Sequence, residues 1–516
     1  MPRIFSKRRF NTSGVALVVI GLMGIGFLDA QAQTDGSTAS RALSIIPEVL
    51  VSQTFTDNAR LSSNDPQFES ITQVSPALHL RSSAGRMQGF VDYSLSGLIY
   101  ARGTASNSVQ QTLNSDLKAE VISNFAYLNA SANISQQNIS AFGTQSPDAS
   151  LRSANQTEVS SFNLAPYIKG RLAGLANYEA RLNYSATHSA AAGFGNSTRA
   201  GGSVRVGSDS SQARINWAVD ASRQTTDFSG GRNTESDLAT GSLIFAATPE
   251  LRVSARGGRE SNNIASFERR AGTTYGIGAR WTPSERTLLS GDRDERFFGS
   301  SHSVRFLHRT PRTVWAFSDT RDISTDSDSA ARSLRLTEFD LLFLSLTSKF
   351  PDPTFRAQEA LSQLRALGVN PGAIAQGGFL IGAVSLLRRQ DFSVALNGLR
   401  NSAIVSAFQT ETRRLDSLSP VIDPLTGGKT IRQHGFGLAL LHKLTPESAV
   451  NLNTTQTRTS DALTGAATKL LSVTATWTAR FGKRTGVSLG ARRVVSDSDF
   501  SPYTESALIG TLSLQF

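Results

Sequence analysis

The chain has 516 residues, a formal net charge of +11 and no cysteine, so neither disulfides nor thiol chemistry contribute to it. Its basic residues are scattered along the chain, without the basic stripe or tail that is typical of nucleic-acid-binding proteins, so we expect no nucleic-acid partner. After Phe27 there is no apolar run of about 18 residues, so the sequence predicts no transmembrane helix in the body of the chain.

The N-terminus is built like a secretory signal peptide. Basic residues between Arg3 and Arg9 precede the apolar run Val15–Phe27, and a small-x-small site at Ala30 and Ala32 follows. This order predicts a signal peptide over residues 1–32 with cleavage at that site, then a short periplasmic segment over residues 33–43. An uncleaved N-terminal anchor is the alternative.

Most of the remaining chain alternates apolar and polar residues with a period of two. In the segment 128–135, for example, Leu128, Ala130 and Ile134 share one face, while Asn and Ser residues occupy the other. Equivalent segments occur near residues 91–100, 176–184, 213–220, 239–247, 251–257, 275–281, 434–442 and 472–481. Such segments are typical of membrane-spanning strands, although half-buried strands of soluble sandwiches alternate too.

The connections between these segments favour a membrane barrel. Tight Thr-Pro turns alternate with polar loops; the turns are at 248–250, 282–284, 310–312 and 445–447, and the loops include 140–156, 189–200 and 226–237. Short periplasmic turns and long external loops are the pattern of outer-membrane barrels. We therefore predict an all-β, antiparallel transmembrane β-barrel of about 22 strands over residues 44–516. An ambiguous pattern near residues 378–413 leaves about 16–20 strands as the alternative.

The chain ends on an alternating strand, with Leu512, Leu514 and Phe516 on one face and no polar tail. In hydrocarbon every backbone N–H and C=O must be paired, so a spanning sheet has to close and its last strand has to pair with its first. The terminal Phe also resembles the recognition signal of bacterial outer-membrane assembly, which implies the barrel-assembly machinery and outer-membrane lipid as partners. Aromatic residues expected in the interfacial girdles are Tyr93, Tyr100, Trp217, Trp281 and Trp315.

Residues 326–377 interrupt the alternation. The stretch 334–350 is strongly apolar, and the stretch 351–368 is predicted to be helical, with Asp352 as its cap and Pro353 in the first turn. A helical insert in a barrel forms either an external loop or a plug folded into the lumen. The apolar face of this insert needs a packing partner, which favours the lumen.

Charged residues on the polar face of the predicted strands are the candidates for lining the lumen. They are Asp92, Glu179, Arg181, Arg214, Asp220, Arg252, Arg256, Arg280 and Arg480. Six are Arg and three are acidic, so the interior is expected to favour anions or polyanions. The alternative is that these charges pair with one another across strands and only keep the interior wet and rigid.

Motifs of enzymes are absent from the sequence. None of the six His residues stands in an H-E-x-x-H pattern, and neither a G-x-S-x-G elbow nor a P-loop occurs. We therefore predict no enzymatic activity, no cofactor and no metal site. A lipase-like Ser/His site assembled from distant residues is the one enzymatic alternative.

The central stretch Ala279–Ser318 resembles the outer-membrane barrel family found with the PEP-CTERM/exosortase protein-sorting system and its exopolysaccharide loci. The matching elements are Trp281-Thr282-Pro283, Arg286-Thr287, Arg296-Phe297-Phe298-Gly299, His308-Arg309-Thr310 and Arg312-Thr313-x-Trp315. Residues 165–185, the stretch 351–369 and the late 441–448 add to the match, although Ala165 stands where Ser is expected. The family is functionally uncharacterised, so the resemblance implies a Gram-negative envelope and a link to exopolysaccharide export, and no catalytic residues.

Two functions follow from these observations. The first is a porin-like barrel that takes part in exopolysaccharide export or solute passage, with exopolysaccharide or export proteins as partners. The second is a non-conducting structural or surface-interaction barrel whose external loops bind glycan or a partner protein. A TonB-dependent receptor is disfavoured, because only about a dozen residues separate the predicted cleavage site from the first strand.

Overall fold

The computed structural model describes residues 43–516, apart from 173, 192–194, 209–212, 326–337, 348, 351–355, 357–358, 361–362, 364–377 and 483. The predicted signal peptide, its cleavage site at Ala30 and Ala32, and residues 33–42 lie outside the described residues. So does most of the predicted insert 326–377.

The described residues form 22 strands in a single antiparallel sheet. The first eleven are β1 Leu43–Thr56, β2 Glu69–Ala84, β3 Met87–Tyr100, β4 Ser108–Ile122, β5 Ala126–Asn138, β6 Gln156–Leu172, β7 Ala176–Ser189, β8 Ser197–Gly207, β9 Ile215–Phe228, β10 Asn233–Ala246 and β11 Leu251–Asn262. The others are β12 Arg270–Ser284, β13 Thr287–Arg296, β14 Gly299–Arg309, β15 Thr313–Ser324, β16 Ser385–Asn397, β17 Asn401–Arg414, β18 Thr430–Lys443, β19 Ser448–Asp461, β20 Ala467–Phe481, β21 Thr485–Ser498 and β22 Tyr503–Gln515.

The sheet closes on itself, which confirms the predicted 22-stranded barrel. Each strand pairs with the next, and β1 pairs with both β2 and β22. Across the closing pair, Leu514 lies opposite Val49 and Leu512 opposite Val51. The last strand therefore pairs with the first, as the alternation up to the chain end predicts.

Directly paired residues point to the same side of a sheet, so the register assigns every strand residue to one of two faces. One face carries large exposed apolar side chains such as Leu182, Val219 and Ile277, and it faces lipid. The four Trp residues all lie on it within a few residues of one rim, at Trp217, Trp281, Trp315 and Trp477. They form an interfacial girdle, for which Trp217, Trp281 and Trp315 were predicted. Tyr93 lies on the same face but in the middle of β3, away from the rim. The prediction that Tyr100 lies in the girdle was wrong. Its side chain is buried on the other face, where its hydroxyl donates to the Ser150 carbonyl at 2.7 Å.

Connections on the rim with the Trp girdle are tight turns, and most of those on the opposite rim are longer. The girdle rim is therefore assigned to the periplasm and the opposite rim to the exterior. Two predicted connections differ from the structure. Residues 226–237 are mostly strand, with a loop of only 229–232, because polar residues also pair in a barrel wall. Thr282-Pro283 belongs to the end of β12, next to a register shift, and the turn follows it.

The long connection between β15 and β16 contains one described helix, α1, over Glu338–Ser345. Further along, Arg356, Glu359, Ala360 and Gln363 are also helical. No helix among the described residues is long and apolar enough to cross a membrane.

Candidate functional site

The inner opening of the barrel is occupied by the β15–β16 connection. Although this connection begins and ends at the outer rim, Leu341, Leu342 and Leu346 pack against wall residues near the periplasmic ends of their strands. These wall residues are Val314, Ala395, Ile404, Ala439, Leu441 and Ala449. The register places them on the face opposite Trp315, so α1 lies inside the lumen, against β15–β19.

Polar contacts fix the same segment to the wall. Arg309, at the inner end of β14, donates to the Thr347 hydroxyl at 3.4 Å. Asn397, at the inner end of β16, donates to the Gln363 side chain at 3.3 Å. Both helical pieces therefore sit at the periplasmic mouth, which they narrow from the β14–β19 side.

The outer opening is covered by loops that reach across it. The β5–β6 loop, residues 139–155, folds over the lumen to β22, five strands away around the barrel, where Tyr503 donates to the Gln145 carbonyl at 2.5 Å. Arg492 joins this loop to the wall through Asp148 at 2.7 Å and Glu505 at 2.8 Å. The Arg492 and Glu505 side chains are only 4% and 0% exposed and Asp148 is 31% exposed. We name this largely buried three-residue cluster the lock, because it holds the loop to the wall.

Two further contacts join loops from distant strands. Arg232, after β9, binds Asp416, after β17, at 3.2 Å, and it also donates to the carbonyls of Asn263 and Ile264. The Leu380 amide donates to the carbonyl of Asn138, on the opposite side of the barrel, at 3.2 Å. The exterior mouth is therefore covered by loops that are joined to one another by ion pairs and hydrogen bonds.

The nine lumen candidates share the face that α1 packs on, apart from Arg214, which lies in the turn before β9. Several are in ion pairs. Asp92 contacts His79 and Arg81, Glu179 contacts Arg181 at 3.0 Å, and Asp220 contacts Arg205 at 3.2 Å. Arg256 reaches both Asp292 and Asp294, at 2.8 and 2.9 Å. Ion pairing within and between strands therefore accounts for much of the interior charge.

Arg252 and Arg280 differ from the others. They lie directly opposite each other on β11 and β12, close to the periplasmic rim, and both are exposed to the lumen. Neither makes an ion pair within the described part of the chain. Like charges placed opposite each other repel, so this pair gives the inner wall an uncompensated positive potential. The pair lies on β11 and β12, outside the β14–β19 side that the helical residues occupy.

A cavity of about 970 Å³ lies at the periplasmic end, between the helical residues and the wall formed by β18–β22 and β1. Glu359 and Gln363 border it on one side, and Glu48, Lys443 and Arg480 on the other. The described part of the insert therefore leaves a cavity beside it that is large enough to hold many water molecules. The described residues contain no group of three or more His, Asp or Glu side chains that could hold a metal ion.

The sequence carried a signal for the ion pairs, because alternating charges on the polar face predict cross-strand partners. No sequence pattern indicated the lock formed by Arg492, Asp148 and Glu505. Asp148 and Glu505 are separated from Arg492 by 344 and 13 residues, and an external loop has to fold inward to bring Asp148 there.

These features define a transmembrane β-barrel of the outer-membrane type, with an interior occupied by its own connections. No family model and no curated protein matches the chain. Among solved structures it is similar to the siderophore receptor PirA from Pseudomonas aeruginosa, at 10% identity over 94% of this chain and 81% of that chain, with a TM-score of 0.38. PirA from Acinetobacter baumannii gives 9% identity over 94% and 81%, with a TM-score of 0.46. The outer membrane protein OpdK from Pseudomonas aeruginosa gives 11% identity over 92% and 99%, with a TM-score of 0.32.

Proposed function

We propose that this chain is a porin-like barrel of the Gram-negative outer membrane that passes anionic solutes or an acidic polymer. The observation that carries the proposal is the unpaired Arg252–Arg280 couple on the lumen wall, at the periplasmic mouth. A positive wall concentrates anions at an entrance and lowers the barrier to their passage.

The α1 segment is the second element of this proposal. Within the described residues it contacts the wall through one apolar cluster and side-chain hydrogen bonds, none of which belongs to the sheet, so it can leave without breaking the sheet. In this role it is a gate that limits passage until it is displaced.

The link to exopolysaccharide export in an exosortase/PEP-CTERM system is a further part of the proposal, and it has a separate basis. It rests on the resemblance of Ala279–Ser318 to that barrel family. The Arg couple suits an acidic polysaccharide, since guanidinium groups bind carboxylates and phosphates in the same forked geometry.

Conductance in planar bilayers tests the proposal. The full-length barrel is expected to give a small anion-favouring current, which rises when residues 330–376 are deleted. The Arg252→Gln/Arg280→Gln variant of the deleted form should lose most of the anion preference. Arg259→Gln is the matched control, because Arg259 lies on β11 but on the outward face. An unselective current, or one that the Arg couple does not influence, would contradict an anion-lined pathway.

The second candidate function is a non-conducting barrel whose external loops bind glycan or a partner protein. The contacts of the external loops favour this second function, because Arg492, Asp148 and Glu505 fix the β5–β6 loop in one place. Silence of both the full-length and the deleted barrel in bilayers would support this alternative.

A further inference from the structure

A row of five basic side chains and one carboxylate crosses the lipid-facing wall of the barrel. Arg293, His302, Arg321, Arg388, Glu411 and Arg432 are direct neighbours, one from each of six consecutive strands, β13 to β18. They belong to the outward face. Arg321 lies an even number of residues from the outward Trp315 on β15, and Arg388 an even number from the outward Phe392 on β16. We name these six residues the outward row.

The depth of the outward row is unusual for charged residues. On β15, Arg321 lies six residues beyond Trp315 of the periplasmic girdle. That separation is about 20 Å along a strand, or about 15 Å of height at the usual barrel tilt. The apolar band of a membrane barrel is about 25 Å tall, so the row lies within the height of the outer leaflet. On β4, by contrast, the outward residues from Leu117 to Val109 are all uncharged.

The carboxylates near the outward row are too few to neutralise its positive charge. Asp319 is shared between His302 and Arg388, at 3.1 Å each, Glu411 binds Arg432 at 3.0 Å, and Glu295 binds Arg293 at 3.3 Å. Of the four Arg residues in the row, only Arg321 has no carboxylate partner among the described residues. Arg321 lies directly opposite Arg388, and it donates to the carbonyl and hydroxyl of Ser300 at 2.6 and 2.9 Å.

A neighbouring cation adds to the excess. Arg413 is exposed on the same face, one row nearer the exterior, and it has no ion-pair or hydrogen-bond partner in the described part of the chain. Together with Arg293, His302, Arg321 and Arg388 it borders an outward cleft of about 480 Å³. Like charges held together at this depth repel one another and are costly in lipid, unless an anion lies between them.

The geometry points to a binding site for the phosphate groups of an anionic glycolipid in the outer leaflet. Arg side chains bind phosphate through two parallel N–H donors, which gives both affinity and orientation. The outward cleft has these donors on its walls, together with the Glu411 carboxylate that Arg432 binds, and Leu386 at its edge. Below it, Phe392 and Trp315 offer an apolar surface to acyl chains. Charge complementarity above and an apolar surface below suit an amphiphile in the membrane, and this inference does not depend on solute passage through the lumen.

Binding of bisphosphorylated lipid A to the full-length barrel in detergent tests the inference. The wild type is expected to bind it, and the Arg321→Gln/Arg388→Gln variant to bind at least tenfold more weakly. The same lipid with both phosphates removed should bind the wild type as weakly as the intact lipid binds the variant. The matched control is Arg252→Gln/Arg280→Gln, a directly paired couple on the lumen face, which should leave lipid binding unchanged.

Other outcomes would overturn the assignment. Equal binding of the phosphate-free lipid, or of the variant, would show that the row does not recognise phosphate. Full displacement of the lipid by millimolar inorganic phosphate would assign the cleft to a free anion, and a stable dimer that excludes lipid would assign it to a second copy of the chain. Should the double variant fail to fold, Arg413→Gln is the substitute, because its exposed side chain has no partner to lose; it should weaken lipid binding severalfold.

Discussion

The packing of α1 against the wall predicts how strongly the periplasmic mouth is held closed. Leu342 is fully buried, at 0% exposed, in the cluster with Val314 and Ala395. Removing a buried Leu side chain down to Ala costs about 2–5 kcal/mol. At about 3 kcal/mol, and with a tenfold change for every 1.4 kcal/mol, Leu342→Ala should raise the population of displaced helix roughly a hundredfold.

The absence of native cysteine makes this change measurable. Ser345 lies on α1 and is 4% exposed, so a thiol at Ser345→Cys reacts with a water-soluble reagent only when the helix is displaced. When opening and closing are fast, the labelling rate follows the open population, and Leu342→Ala should raise it roughly a hundredfold. Leu396→Ala is the control, because Leu396 is on the outward face of β16 and should not change the rate. An unchanged rate in Leu342→Ala would refute the view that this cluster holds the helix.

Three further predictions concern the wall. Arg492→Met leaves Glu505 buried without its cation and should lower the unfolding free energy by about 3–5 kcal/mol; denaturant titration checks this, and adding Glu505→Gln should recover part of the loss. Deleting Phe516, whose amide donates to the Pro47 carbonyl at 3.0 Å, should reduce the yield of folded barrel in membranes, measured by heat-modifiable gel mobility; an unchanged yield would count against its role in assembly. Leu182→Arg puts a charge into lipid and should cost about 2–4 kcal/mol, while Asn183→Arg on the lumen face should cost much less; equal losses in vesicle unfolding titrations would contradict the assigned faces.

The barrel wall was predictable because its physics is local. A strand with lipid on one side and water on the other must alternate, so segments such as 128–135 and 472–481 were readable from the sequence alone. The ambiguous stretch 378–413 contains β16 and β17. On the outward face these strands carry Arg388, Glu411 and Arg413 where lipid-facing residues were expected, and this obscured the period.

The contents of the lumen were less predictable, because they depend on contacts between distant residues. The apolar stretch at Glu338–Ser345 indicated that a packing surface was needed, but the surface consists of ordinary Ala, Val and Ile residues in alternating strands. Nothing local distinguishes Ala395 or Ile404 from a residue that faces water. The sequence therefore predicted an insert but could not say which mouth it would occupy.

The junction of β1 and β22 leaves a short part of the sheet open on one side. β22 pairs with β1 over Glu48–Thr56, and the final Phe516 amide reaches Pro47, so within the described residues Leu43–Ile46 has a partner only on β2. Backbone groups on such an edge are available to a strand from another chain. Within the described residues, Leu43–Ile46 therefore forms a four-residue unpaired edge at the periplasmic end of β1, to which a strand of another chain can pair without separating existing strands.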